Sequence, residues 1–411
     1  MNTLPISPLS SWRQKLETRL NIDELVAAAS ALIAVPSHHD VPGRETACAR
    51  RLLAILDEWD LHPTLVPVVD GRPNVIARLP GRGGPTLLLT GHLDTVPAYN
   101  MDRPAFEPVV DEGRLWGRGA VDMKGAVACM AMALKLLRDL DAPLPGDVIL
   151  AAVVGEEDQS EGTEHLIRHG PHADRAVVGE PTGLDIHAGH RGLEWLEFEF
   201  TGRSTHAGTP ERGVNAIRMA ARFIERVEFE LVPRLARRRH PLIGPAIMNW
   251  GVIQGGTQPS MVAERCVLQL DRRLVPGETA AQVMAEYQAI LDELAAEDVD
   301  FRGRMSRVAD NMLSMDHGPL EIALDHPLVT GLQAVLAELA PLAPLAPLAG
   351  GPARIGAFGG WTDGALLSNF GHIPTVIFGP GDLSVAHSRA EFVPVDELRL
   401  ATLAYALLAM I

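Results

Sequence analysis

Residues 86–94 read TLLLTGHLD, a continuous apolar run that turns polar at its C-terminal end. Such a run fits a strand buried on both faces, delivering polar side chains where it leaves the sheet. Residues 147–157, DVILAAVVGEE, repeat the arrangement, and so do residues 175–182, RAVVGEPT. Around them the spacing predicts helices over about 22–35, 44–60, 124–140 and 162–169, with strand-like runs PTLVPVV (63–69) and NVIARL (74–79). Strands alternating with helices define an α/β fold, a sheet covered by helices on both faces.

After about residue 186 the pattern changes. LEWLEFEFTG (193–202) alternates apolar and polar, as a half-exposed antiparallel strand does. A helix is expected at 213–229, strands at 246–256 and 265–275, and a second helix at 279–296. We read this block as an inserted α+β domain. The α/β character returns from about 306, with a helix at 327–340 and the strand PTVIFGPG (374–381). PLAPLAPLA (341–349) has Pro at every third position, which a helix does not tolerate, and reads as a surface connector.

A chain of 411 residues is too long for one core and implies two or three domains. With 47% hydrophobic residues it is not disordered. Its net charge of −16 argues against a nucleic-acid partner, which needs a basic face. Cys48, Cys129 and Cys266 lie far apart without a CxxC, which argues against a disulfide framework or a thiolate metal site. The N-terminus lacks an apolar leader core and no run reaches about 18 apolar residues. The expectation is a soluble cytoplasmic protein with no membrane partner.

Five acidic or histidine-bearing segments sit where strands end. GHLDTVP holds His92 and Asp94, two residues apart and so on one strand face, where Asp94 can reach the imidazole and fix its tautomer. GRGAVDMKG packs glycines around Asp122. It is not a phosphate loop, because Gly125 follows Lys124 where Ser or Thr is required. VVGEEDQSEG holds Glu156 and Glu157, whose neighbouring side chains point different ways, so one can bind a metal while the other faces a substrate as base. Glu180 follows a further apolar run, and His387 lies in the Gly/Pro-rich segment VIFGPGDLSVAHSRAEF. Open α/β sheets place sites at such ends. Two histidines with several carboxylates, one of them shared, suit two Zn²⁺, Mn²⁺ or Co²⁺ ions about 3.5–4 Å apart. His165 and His169 have i, i+4 spacing but lack the HExxH pattern, and read as a solvated helix face.

These segments, with GRSTHAGTPERGVNAI (202–217), occur in the order seen in the zinc amidohydrolase family of acetylornithine deacetylase, succinyl-diaminopimelate desuccinylase, aminoacylase and glutamate carboxypeptidase. The chain resembles that family from about residue 22 to its end. The resemblance implies two Zn²⁺ per subunit, with Co²⁺ or Mn²⁺ as substitutes. His92 and Glu180 would hold one ion, Glu157 and His387 the other, and Asp122 would bridge them. Asp94 would orient His92, and Glu156 would be the general base. His206 would enter the site of the partner subunit in a homodimer, and Arg273, in DRRLVPGE, would bind a substrate carboxylate. The resemblance also implies a cis peptide between Asp122 and Met123. Ser260 stands where many relatives have Asn, and Ala390 where an Asp is common; both bear on substrate identity more than on the metals.

The expected protomer is a zinc-exopeptidase-like mixed sheet assembled from residues 1–186 and 305–411, with residues 187–304 as a lid and dimerisation domain. The expected reaction is amide hydrolysis of a small N-acyl amino acid. An exopeptidase acting on short peptides with the same machinery is the alternative. A non-catalytic binding member of the fold is a more distant one.

Overall fold

The run at 86–94 forms the strand Gly84–His92, at the centre of a nine-stranded mixed sheet. The structure, a computed structural model, describes residues 8–308, 314–342 and 354–411. Its residues fall into two units, one within 1–189 and 321–411, the other within 190–320.

In the first unit four parallel strands lie side by side in the order Gly146–Val153, Gly84–His92, Arg175–Val178 and Thr375–Ile377. Parallel strands are covered on both faces, which is why these segments read as apolar runs. Leu88, Ile149, Ala151 and Val178 pack on one face with Leu166 and Leu367 from the helices Glu161–His169 and Gly364–Asn369. Truncating such a buried Leu or Ile to Ala typically costs about 2–5 kcal/mol. Helix Gly125–Asp139 packs against Val395–Leu408 and against the strands Gly84–His92 and Gly146–Val153. Antiparallel strands Arg72–Leu79 and Thr64–Val69 extend the sheet beyond Gly146–Val153.

The second unit holds a four-stranded antiparallel sheet in the order Ile247–Gly255, Arg265–Leu274, Gly192–Thr201, Gly303–Arg307. Leu196, Phe198 and Phe200 are buried on one face, as the alternation predicted. Helices Ala216–Arg226 and Ala280–Glu297 supply Phe223, Tyr287 and Ile290 to the same core. Thr279 and Gln282 start the second helix with a reciprocal capping box.

Two expected bounds need correction. The return to the first unit is not at 305: residues 303–307 form a strand paired with Gly192–Thr201, and the chain crosses back at 320/321. The first crossing falls at 189/190 rather than 186/187. Helices Pro8–Arg19 and Val395–Leu408 were not anticipated. Residues 340–342 form a short 3-10 turn, while the rest of the PLAPLAPLA segment lies outside the described residues. No helix among the described residues is long and apolar enough to cross a membrane.

Candidate metal centre

Each of the four parallel strands feeds one segment into a single cluster at the sheet's C-terminal ends. His92 is the last residue of Gly84–His92. Glu156 and Glu157 follow Gly146–Val153, Glu180 follows Arg175–Val178, and His387 lies beyond Thr375–Ile377. Asp122 arrives from the glycine turn before helix Gly125–Asp139. Gly119 has φ +83° there, and a Cβ would lie 2.8 Å from the Thr95 methyl, so the turn needs glycine. The Asp122–Met123 peptide is cis.

Asp122 is set between the two imidazoles. Its Oδ1 lies 3.0 Å from His92 Nε2, and its Oδ2 lies 3.1 Å from His387 Nε2. His92 Nε2 is also 3.6 Å from Glu180 Oε1 and 4.0 Å from Glu156 Oε2. Glu157 Oε1 is 3.0 Å from His387 Nε2. Two triads, His92–Glu156–Glu180 and His92–Asp122–Glu157, each bring ligand atoms within 4.8 Å of one another.

The electrostatics of the cluster show which charge it would accept. Burial pushes the carboxyls of Glu156 and Glu180 well above the ordinary range, and burial beside Asp122 also raises Glu157. Asp122 is held low despite its burial, by His387 and His92. His387 is pushed up to about 10 by hydrogen bonds to Asp122 and Glu157. Several buried carboxylates crowd around only two imidazoles, so divalent cations would relieve the repulsion among them. Imidazole and carboxylate donors at this density fit first-row divalent ions such as Zn²⁺.

Asp94 faces His92 and also holds the loop of the neighbouring strand. His92 Nδ1 lies 3.0 Å from the main-chain oxygen of Asp94 and 3.5 Å from its Oδ1. The Asp94 carboxylate also accepts the main-chain N–H groups of Gly155, Glu156 and Glu157. It ties the glutamate loop to the strand that carries His92.

Two residues escaped the sequence reading. Glu391 is buried, pairs with Arg118, and accepts the N–H groups of Gly119 and Val121 at 2.9 and 3.2 Å, supporting the turn that presents Asp122. It stands only four residues after His387, but its partners lie some 270 residues earlier. Asp363 is buried, accepts the Thr163 hydroxyl at 2.6 Å and lies beside Ser160. Burial raises its carboxyl to about 6.

His206 and Arg273 belong to the second unit, where their contacts are local. His206 is exposed, and its Nδ1 accepts the Gly208 N–H at 3.0 Å within its own turn. Arg273 makes a two-pronged pair with Asp271 at 2.7 and 2.9 Å. The rings of His165 and His169 lie 4.5 Å apart, tilted by 44°, on their helix and join neither triad.

Carboxylates and histidines gathered at the ends of parallel strands form a candidate site for divalent metal ions. The model of peptidase family M20/M25/M40 matches residues 88–411, and the chain belongs to that family. It is 31% identical over 408 residues to N-formyl-4-amino-5-aminomethyl-2-methylpyrimidine deformylase of Bacillus subtilis, covering 92% of this chain and 91% of the relative. It is 31% identical over 321 residues to acetylornithine deacetylase of Myxococcus xanthus, covering 77% and 78%. An M20 family metallo-carboxypeptidase from Sulfolobus solfataricus shares the fold, with a TM-score of 0.78 at 18% identity over 94% of this chain and 99% of that one.

Proposed function

We propose that this chain hydrolyses the amide bond of small N-acyl amino acids and related N-acyl amines, with two zinc ions per subunit. The observation that carries the reading is Asp122 set between His92 and His387, with Glu157 and Glu180 beside them. In this reading His92 and Glu180 would hold one ion, Glu157 and His387 the other, with Asp122 serving both. Ions bound there would polarise the acyl carbonyl and acidify a water.

The remaining chemistry belongs to the chain's own residues. Glu156 accepts a proton from the attacking water, whose oxygen bonds to the acyl carbon. As the C–N bond breaks, Glu156 hands that proton to the leaving nitrogen, giving an acid and a free amine. A carboxyl that burial lifts above the usual range suits a shuttle between water and amine better than an exposed one. Asp94 keeps Glu156 and Glu157 in register through their main-chain N–H groups. Arg273 would exchange Asp271 for a substrate carboxylate, and His206 would stabilise the oxyanion from the partner subunit of a homodimer. The free, buried cysteines support a cytoplasmic location.

The two deacylase relatives release an acyl group from an amine, which favours deacylation over peptide cleavage. The test is zinc content followed by a hydrolysis screen of N-formyl, N-acetyl and N-succinyl amino acids against dipeptides. Faster cleavage of dipeptides would make the chain an exopeptidase. No turnover of either class by zinc-loaded protein would return it to a binding role.

A further inference from the structure

The segment between Val154 and Gly162 carries Glu156 and Glu157 and is polar throughout its exposed part. Apolar packing therefore does not decide its shape, and polar anchors must. Asn74 closes its two ends: Oδ1 accepts the Val154 N–H at 3.1 Å, and Nδ2 donates to the Gly162 oxygen at 2.8 Å. Two residues earlier, at the start of the same strand, stands Arg72, 3% exposed. Its Nε and Nη2 donate to Glu45 at 2.7 and 2.9 Å, and its Nη1 donates to Glu161 Oε1 at 2.9 Å. Glu45 is fully buried. The Glu161 carboxylate folds back over the loop so closely that a Cβ on Gly155 would lie 1.8 Å from Oε2 and 3.0 Å from Arg72 Nη2. Gly155 also has φ +82°, so its backbone and the ion triad require the same residue. Arg44, next to Glu45, pairs with Asp158 inside the loop.

We propose that Arg72 is a positioning residue for the reaction: through Glu45 and Glu161 it sets the register in which the loop presents Glu156 and Glu157. This rests on the roles proposed above for those two glutamates. Asp94 grips the loop from the metal side and Arg72 from the opposite side, so the loop is fixed at both. The planar guanidinium spans two carboxylates at once, which an ammonium does not reproduce.

The test is Arg72→Lys in full-length, zinc-loaded protein, with two readouts. Amide hydrogen exchange across 155–160 should rise about 10-fold or more, while exchange in the second unit stays unchanged. With an N-acyl substrate that the parent turns over, kcat should fall about 10–100-fold at nearly constant KM, the size typical for residues that support metal ligands. Unchanged exchange at 155–160, or a loss confined to thermal stability, overturns the proposal. Faster exchange with unchanged kcat overturns the role of Arg72 in the reaction, while Glu156→Gln in the same assay tests the roles of the glutamates independently. Should the lysine variant not fold, Glu161→Ala removes the acceptor of Arg72 Nη1 at a partly exposed position; it should move both readouts in the same direction, and failure to move either overturns the proposal.

Discussion

Asp94 Oδ2 accepts the main-chain N–H of Glu157 at 2.8 Å. With Gly155 and Glu156 donating to Oδ1, one carboxylate collects three main-chain donors from the loop after the neighbouring strand. Although burial works against it, His92 and these N–H groups hold the Asp94 carboxyl below its usual range. The strand end bearing His92 and the loop bearing the two glutamates therefore behave as one piece, and the following expectations depend on that.

Glu156 and Glu157 are adjacent but should fail differently. Glu156→Gln should keep both zinc ions and lose about 10²–10⁴-fold in kcat, the range for removing a general base. Glu157→Gln should lose zinc affinity as well. Metal analysis alongside kcat separates them, and near-normal turnover by zinc-replete Glu156→Gln would remove the base assignment.

Asp363 should set a pH dependence in metal-free protein. Its folded-state carboxyl is raised to about 6 from 3.8, because burial opposes the charge. Between pH 4 and 6 the unfolded chain has lost this proton while the folded chain keeps it. Stability should therefore fall as pH rises through that window, by up to about 3 kcal/mol from this group, and then level off. Asp363→Asn should remove that share of the decline and leave the part due to the raised carboxyls of Glu156, Glu157 and Glu180. Urea denaturation at pH 4, 5, 6 and 7 tests this, and parallel pH profiles for variant and parent would count against it.

Arg273 has two readings, a carboxylate binder or the partner of Asp271 alone. Arg273→Lys should raise KM about 10-fold or more for substrates with a free carboxylate, since a forked contact is lost. The corresponding esters should be affected far less. Equal effects on acid and ester would leave the pair with Asp271 as its role.

His206 invites subunit mixing. Homodimers of His206→Ala and of Glu156→Gln should each be nearly inactive. A mixed dimer would have one site with both defects and one with neither, restoring up to half the activity per dimer. Exchange verified by mass with no recovered activity would mean that His206 does not act in trans.

Much of this protein was legible in the chain. Apolar runs ending in GHLD, VVGEE and VVGEP marked buried strands and the ends where polar side chains emerge, because a strand covered on both faces must be apolar until it leaves the sheet. The alternation in LEWLEFEFTG marked the half-exposed sheet of the second unit for the same reason in reverse. Helix Val395–Leu408 stayed hidden because it is buried nearly all round and so carries no polar–apolar period. Only the tertiary structure decided which distant groups meet. Glu391 reaches Gly119, Arg72 joins Glu45 to Glu161, and one Asp94 carboxylate ties the glutamate loop to the strand of His92. Local spacing determines which way a side chain points, but long-range contacts depend on how the sheet orders its strands, and here it places Gly146–Val153 between Arg72–Leu79 and Gly84–His92.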